Sequence, residues 1–244
     1  MLLDLVGRVA VREKGPADLV TEADLASQET IRRVVLGRFP DHSWLGEEDI
    51  DQNAPATESA YRWIADPLDG TTNFVHGVPH YCVSLALQYH GRVIAATVFD
   101  PTNRECFTAG ADSGAFLNGN PISTSAISDL GNALAVVGFP PRMRSDCPDL
   151  LVFLKAIECA QAIRRTGSAA LNLCYLACGR FDVFWSFSTK IWDVAAGALI
   201  LSEAGGTITS PSGGDFVPEE ANFLAAANNT LHDRLVEMVE ESLT

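Results

Sequence analysis

Near residue 130 the chain switches from strand following strand to regular alternation of strand and helix, and this switch constrains its fold more than any other feature. Before it, YCVSLALQYHGRVIAATVFD (81–100) reads as two β-rich runs turning at His90-Gly91. SGAFLNGNPI (113–122) carries the Asn118-Gly119 pair that favours a two-residue hairpin. Upstream, TEADLASQETIRRVVLGRF (21–39) predicts a helix, with Leu25, Ile31, Val34 and Val35 near one face and capping-box spacing between Thr21 and Asp24. After the switch come a strand (133–139), a helix (148–163), a short strand (163–167), a helix (168–179), a strand (181–187) and a helix (192–206). Strands at 207–210 and 223–227 and a final helix over 231–243 complete the series. Such alternation predicts helices on both faces of a sheet. The expected organisation is an α+β half over 1–129 with an antiparallel sheet, an α/β half over 130–244, and a cleft between them.

Core size and charge narrow the function classes. With 244 residues, 47% of them hydrophobic, the chain suits one domain or a closely packed pair and is too apolar for disorder. Lys and Arg number 17 against 31 Asp and Glu, a net charge of −14, which disfavours nucleic acid as the main ligand because that contact depends on clustered cations. An anionic small substrate stays open, since acids can gather divalent metals whose charge reverses the local field. No apolar run reaches the roughly 18 residues of a membrane-spanning helix, and Asp4 and Arg8 interrupt the N-terminal apolar positions. Cys82, Cys106, Cys147, Cys159, Cys174 and Cys178 form no CxxC pair and have mostly apolar neighbours. They read as reduced core residues of a cytoplasmic protein without a signal peptide.

The residues that carry chemistry are acids. In WIADPLDGTTNF (63–74) an apolar strand delivers Asp66 and Asp69 to its end, where Pro67 and Gly70 force a tight turn. Both carboxylates can then face one cleft. Mg2+ prefers such oxygens, and two ions about 3.5–4 Å apart suit phosphoryl transfer by steadying the attacking and the leaving oxygen. Gly70, Thr71 and Thr72 would present backbone N–H groups to a phosphate. The same string also fits an Asx-turn in which the two acids cap backbone. Asp193 in IWDVAAG (191–197) precedes a small-residue helix and reads alone as an N-cap, and Gly46-Glu47-Glu48 reads alone as a solvated loop.

In this order and spacing, GEE (46–48), DPLDGTTNF (66–74) and WDVAAG (192–197) resemble the inositol monophosphatase family of metal-dependent phosphatases. DLVTEAD (18–24), GAFLNG (114–119) and RRTGSAALNLCYLACG (164–179) extend the similarity from about residue 12 to the final helix. The resemblance implies an α+β fold, a layered αβαβα sandwich, with two or three Mg2+ ions per site, lithium sensitivity and a homodimer. It implies that Glu47, Asp66 and the main-chain carbonyl of Leu68 hold one Mg2+, that Asp66, Asp69 and Asp193 hold a second, and that Glu47 reaches a third through water. Thr71 and Asp24 match the pair that orients the attacking water, and Glu47 joins them as a catalytic residue. The main-chain groups of Gly70 and Thr71 match the phosphate seat, and Asp69, Arg164, Gly167, Ser168, Ala169 and Asp193 match the lining around the substrate's alcohol portion. The implied activity is a phosphomonoesterase acting on a small polyol phosphate, inositol 1-phosphate foremost.

Two features depart from the family pattern. Seven residues before Asp193, where inositol-type members place a substrate-binding Glu, stands Ser186, with Lys190 nearby. The change removes a charge and leaves room, so histidinol phosphate, a sugar bisphosphate or a nucleotide 3'-phosphate is the alternative substrate. The DGTTNF ending favours the inositol type, because nucleotide-directed relatives carry Lys after DGT and histidinol-directed ones Arg. A third reading is a regulatory binding protein on the same scaffold, against which the complete set of acids argues. Second, Met1 starts inside or after the family's long first helix, which predicts a short helix or an exposed surface there. His42, His76, His80, His90 and His232 lack HxxxH spacing, and His76 and His80 read as loop or supporting residues. Trp44, Trp63, Trp185 and Trp192 read as core, and VEMVEES (236–242) as a solvated acidic helix face.

Overall fold

The structure, a computed structural model, describes residues 1–8, 11–15, 18–49, 59–140 and 143–243. The chain opens with a one-turn helix α1 (Leu2–Leu5), an antiparallel ribbon of β1 (Val11–Gly15) and β2 (Asp18–Thr21), and helix α2 (Glu22–Arg38). It continues through β3 (Ser43–Gly46), β4 (Tyr61–Asp69), α3 (Thr71–His76), β5 (Cys82–Tyr89), β6 (Arg92–Asp100), β7 (Glu105–Gly110), β8 (Ala115–Leu117) and β9 (Asn120–Pro121). Strands β3 to β9 form a seven-stranded sheet in chain order, antiparallel except for the β3–β4 pair.

The remaining elements are β10 (Leu134–Val137), α4 (Pro148–Cys159), β11 (Ala162–Arg164), α5 (Ala169–Ala177), β12 (Val183–Ser186), α6 (Ile191–Glu203), β13 (Thr207–Thr209), β14 (Phe223–Ala226) and α7 (Asn229–Leu243). Five strands pair in the order β11-β10-β12-β14-β13, parallel around β10 and antiparallel around β14. The helix expected over 148–163 ends at Cys159, because residues 162–164 join the sheet beside β10.

Helices α5 and α6 lie between the two sheets, touching β5 and β6 on one side and β12 or β13 on the other. Helix α2 packs on β4, and α4 and α7 pack on each other with α7 against β14. The result is the αβαβα sandwich. One continuous buried cluster runs through both sheets and the middle helices, from Ile64 and Phe107 to Trp185 and Phe223. At its centre Phe184 and Phe223 meet edge to face, ring centroids 4.9 Å apart; burying each ring contributes about 1.5–3 kcal/mol.

Helix α2 departs from its expected burial. Its start follows the capping box, with Ala23 N donating to Thr21 Oγ1 and Thr21 N to Asp24 Oδ2. Yet Leu25 and Val34 are 48% and 64% exposed, while Ala23, Asp24, Ser27, Gln28 and Val35 are buried. The polar residues win because they have partners: Ser27 Oγ donates to Pro67 O at 2.8 Å, and Glu48 N donates to Gln28 Oε1 at 3.0 Å. A hydrogen-bonded polar group is cheap to bury, and the direction of the helix follows those bonds.

Smaller expectations also change. Only Trp185 of the four tryptophans is fully buried; Trp44, Trp63 and Trp192 are half-buried, and the Trp63 indole N–H donates to His42 Nδ1 at 3.0 Å. All six cysteines are free thiols, but only Cys82 and Cys174 are buried. Helix α7 buries Leu231, Leu235, Met238 and Val239 and turns Glu237, Glu240 and Glu241 outward or to its flank. Among the described residues no helix is long and apolar enough to cross a membrane.

Candidate active site

Two acids three residues apart on a regular strand point to opposite faces. Strand β4 avoids this with an irregularity: Asp66 pairs with Ser84 and Asp69 with Cys82, so three steps on β4 oppose two on β5. Ser84 and Cys82 share a face, and their partners Asp66 and Asp69 therefore share one too. Pro67, which has no N–H for the ladder, stands at the irregularity. Leu68 N folds back onto Asp66 Oδ1 at 2.9 Å, so the Asx-type turn is present as well.

The same face meets the two middle helices at their N-termini. Ser84 Oγ donates to Trp192 O at 3.3 Å, next to Asp193. Asp69 Oδ2 accepts from Ser168 Oγ and from Ala170 N, both at 2.7 Å, and so holds the first turn of α5. Asp193 Oδ2 accepts from Lys190 N at 2.7 Å. Glu47 arrives from the end of β3, parallel to β4, where its N–H donates to Ala65 O at 3.1 Å. Four carboxylates from three separate segments are thereby brought to one region.

Their charges feel one another. Burial first, and then the negative charges of Glu47, Asp69 and Asp193, hold Asp66 well above the usual carboxylate range. Burial pushes Asp69 from 3.8 up to about 6 against the opposing hydrogen bonds from Ser168, Ala170 and Ala169. Asp193 is also raised, by withdrawal from solvent and then by Asp69 and Glu47, against the bond from Lys190 N. Among the described residues no three His, Cys, Asp or Glu side chains already close on a single point. Asp66, Asp69 and Asp193 each turn one oxygen to a backbone or hydroxyl donor, and the side chains of Asp66 and Asp193 also meet each other. Hard oxygen donors carrying excess negative charge fit Mg2+.

The sign of the pH effect follows. A carboxyl whose folded-state value is raised stabilises the fold below its ordinary value and loses that contribution as pH climbs through the raised one. For Asp69, a rise from 3.8 to about 6 amounts to about 3 kcal/mol. Raising the pH from about 5 to about 7 should therefore widen the gap between melting temperatures in Mg2+ and in EDTA. A gap that stays constant or narrows would contradict this assignment of the acids.

Thr71 stands at the start of α3, behind Gly70 in a left-handed conformation. Its Oγ1 is 3.0 Å from Asp24 Oδ1 and 3.1 Å from Leu68 O, two groups that can only accept. Asp24 is fully buried, and its Oδ2 accepts from Thr21 N and Thr21 Oγ1 at 2.8 and 2.6 Å. The hydroxyl's single proton thus points inward, leaving its lone pairs for a donor on the other side.

The other residues expected at the substrate lie at the C-terminal ends of β11 and β12 and at the start of α5. Ser168 caps α5 and is buried with Ala169 half-buried beside it, while Gly167 and Arg164 are exposed. Arg164 Nη1 donates to the carbonyl of Ile163. Ser186 is 1% exposed, with Oγ 3.4 Å from Gly138 O, so its hydroxyl faces the end of β10. Three supports were missed in the sequence: Ser27, which holds Pro67; Gln28, which holds the Glu47–Glu48 turn; and Asp149, a buried acid in α4 that accepts from Phe187 N at 2.9 Å. For the first two a signal existed, since Asp24, Ser27 and Gln28 form a polar stripe at helical spacing. Asp149 reads in sequence as an ordinary first-turn acid.

Comparison with known proteins identifies the family. The profile of the inositol monophosphatase family matches residues 4–244. The inositol-1-monophosphatase of Rhizobium meliloti is 40% identical over 98% of this chain and 89% of its own length. The Nus factor SuhB of Pseudomonas aeruginosa is 42% identical over 89% of this chain and 81% of its own. Among solved structures, the IMPase of Thermotoga maritima superposes with a TM-score of 0.88 at 35% identity, covering 99% of this chain and 92% of that one. An IMPase/NADP phosphatase solved with Mg2+ and phosphate superposes with a TM-score of 0.85 at 26% identity, covering 97% and 88%. The chain belongs to the inositol monophosphatase family, a family of Mg2+-dependent phosphomonoester hydrolases.

Proposed function

We propose that the site around Asp66 is that of a Mg2+-dependent phosphomonoesterase for a small polyol phosphate, with inositol 1-phosphate as the leading substrate. The observation that carries this reading is the convergence of four mutually repelling carboxylates, Asp66 and Asp69 buried and Glu47 and Asp193 half-buried. Glu47, Asp66 and the Leu68 carbonyl would hold one ion, Asp66, Asp69 and Asp193 a second, with Glu47 reaching a third through water. Bound there, Mg2+ supplies Lewis-acid charge at the phosphoryl and leaving oxygens and makes water more acidic. Thr71, its proton held by Asp24, accepts a hydrogen from a water and aims that water's oxygen at phosphorus. The backbone of Gly70 and Thr71 receives the phosphate, and Arg164, Gly167, Ser168 and Ala169 border the departing alcohol. Homodimerisation, lithium inhibition and a cytoplasmic setting belong to the same proposal.

A second substrate reading has its own support. Arg164, Arg165 and Lys190 are exposed on the loops flanking Gly167 and Asp193, and among the described residues none has a carboxylate ion-pair partner. In a chain of net charge −14, three such cations at the same end of the sheet as the neutral, buried Ser186 favour a substrate with a second anionic group. A phosphate-release screen at fixed Mg2+, with inositol 1-phosphate, histidinol phosphate, fructose 1,6-bisphosphate and a nucleoside 3',5'-bisphosphate, separates the two. The first reading expects inositol 1-phosphate to have the highest kcat/KM and Lys190→Gln to leave it within about twofold. The second expects a bisphosphate to lead and to lose about tenfold in Lys190→Gln, the worth of one charged contact. Slow, equal release from all four would contradict both.

A further inference from the structure

Asn73 follows the carboxylate turn and reaches across the molecule. Its Nδ2 donates to His80 O at 2.7 Å and to Thr166 O at 2.8 Å, the latter 93 residues away in sequence. Both acceptors belong to segments in close contact with a glycine turn. A Cβ on Gly70, whose φ is 97°, would stand 2.9 Å from His80 O. A Cβ on Gly167, whose φ is 94°, would stand 2.9 Å from Asn73 Nδ2 itself. One side-chain amide therefore packs against the Gly167 turn and holds the carbonyl that packs against the Gly70 turn. Thr166 is fixed from its other side, its hydroxyl donating to Asn172 Oδ1 at 2.5 Å, and Asn172 is buried in α5.

The turn at Gly70 and the loop at Gly167 come from different halves of the chain. Their other direct tie runs through Asp69 Oδ2 to Ser168 Oγ and Ala170 N. On the reading above, Asp69 also serves a metal, so that tie carries two roles. The Asn73 tie involves no carboxylate, running from a side-chain amide to two main-chain carbonyls. We propose that Asn73 is a positioning residue: it sets the separation between the phosphate-holding turn Gly70–Thr71 and the alcohol-bordering loop Gly167–Ala169. Substrates long enough to touch both are thereby aligned for attack. The proposal rests on the phosphomonoesterase reading for the identity of the two ends.

The test compares two esters and one measurement without catalysis. Asn73→Ala removes both donors, and Asn73→Asp keeps the size but turns a carboxylate onto two carbonyls. A small displacement of a positioned substrate can cost about a hundredfold. With whichever polyol phosphate leads the screen, Asn73→Ala should lose about tenfold or more in kcat/KM and Asn73→Asp more still. With phenyl phosphate, whose ring needs no contact with the Gly167 loop, both variants should stay within about twofold of wild type. In metal-free protein, hydrogen exchange at the amides of Gly167 and Ser168 should quicken about tenfold in Asn73→Ala, while Ile64 and Ala65 in β4 stay unchanged. Equal losses on both esters, unchanged exchange at 167–168, or faster exchange everywhere alike would overturn the proposal. If wild type hydrolyses neither ester, the phosphatase reading fails, and the exchange result still decides whether Asn73 couples the two loops.

Discussion

Asp66→Asn is expected to lower kcat at saturating Mg2+ on the order of a thousandfold while leaving the metal-free protein at least as heat-stable as wild type. Of the four acids Asp66 offers the cleanest test. Its backbone hydrogen bond, from Leu68 N, is to an oxygen that Asn retains. Asp69 and Asp193 also tie down helix starts, so changes there mix two roles. The catalytic loss follows because Asp66 is the acid assigned to both principal ions, and removing its charge weakens each of them. The stability result follows from the raised carboxyl: Asp66 is pushed above its ordinary range by burial and by three neighbouring acids, so an uncharged amide relieves repulsion. A large fall in melting temperature in EDTA together with near-normal turnover would assign Asp66 to the turn alone.

Thr71→Ala should lose about a hundredfold in kcat, with KM changed little, and Thr71→Ser should recover most of it. Asp24 Oδ1 and Leu68 O both face Thr71 Oγ1 and neither can donate, so the hydroxyl spends its one hydrogen inward and presents lone pairs outward. Serine keeps this arrangement; alanine removes it. Asp24→Asn should fall in the same direction, because an amide N–H facing Thr71 would reverse the bond. It also disturbs the cap of α2 that Thr21 and Asp24 share, at a cost of about 1 kcal/mol, which makes Thr71 the sharper probe. Equal activity of Thr71→Ala and wild type would mean that the water is oriented by something else.

How much of this was legible in the sequence depended on distance along the chain. Asp66, Asp69, Gly70 and Thr71 fall within six consecutive residues, so local spacing and turn chemistry could bring them to one cleft, whereas Asp193 reads alone as a helix cap and joins them only through the family resemblance. The alternation after residue 130 predicted the middle and outer helices because their apolar residues had no competing partner. Helix α2 resisted the same logic, since its direction is set by Ser27 meeting Pro67 and Gln28 meeting Glu48, contacts 40 and 20 residues away. Spacing likewise could not disclose the β4 irregularity that turns Asp66 and Asp69 to one face, the reach of Asn73 to Thr166, or the burial of Asp149 against Phe187. Each is a tertiary bond that overrides a sound local reading.

The central claim is that these carboxylates form a functioning Mg2+ site, and isothermal titration of Mg2+ into the metal-free chain, with inorganic phosphate present, tests it most directly. Wild type should bind two or three ions per chain saturably and release protons more strongly at about pH 6 than at about pH 8, because raised carboxyls must deprotonate to coordinate. Asp66→Asn should lose that heat while keeping its fold. Absence of saturable binding in wild type, or identical binding by Asp66→Asn, would contradict the account.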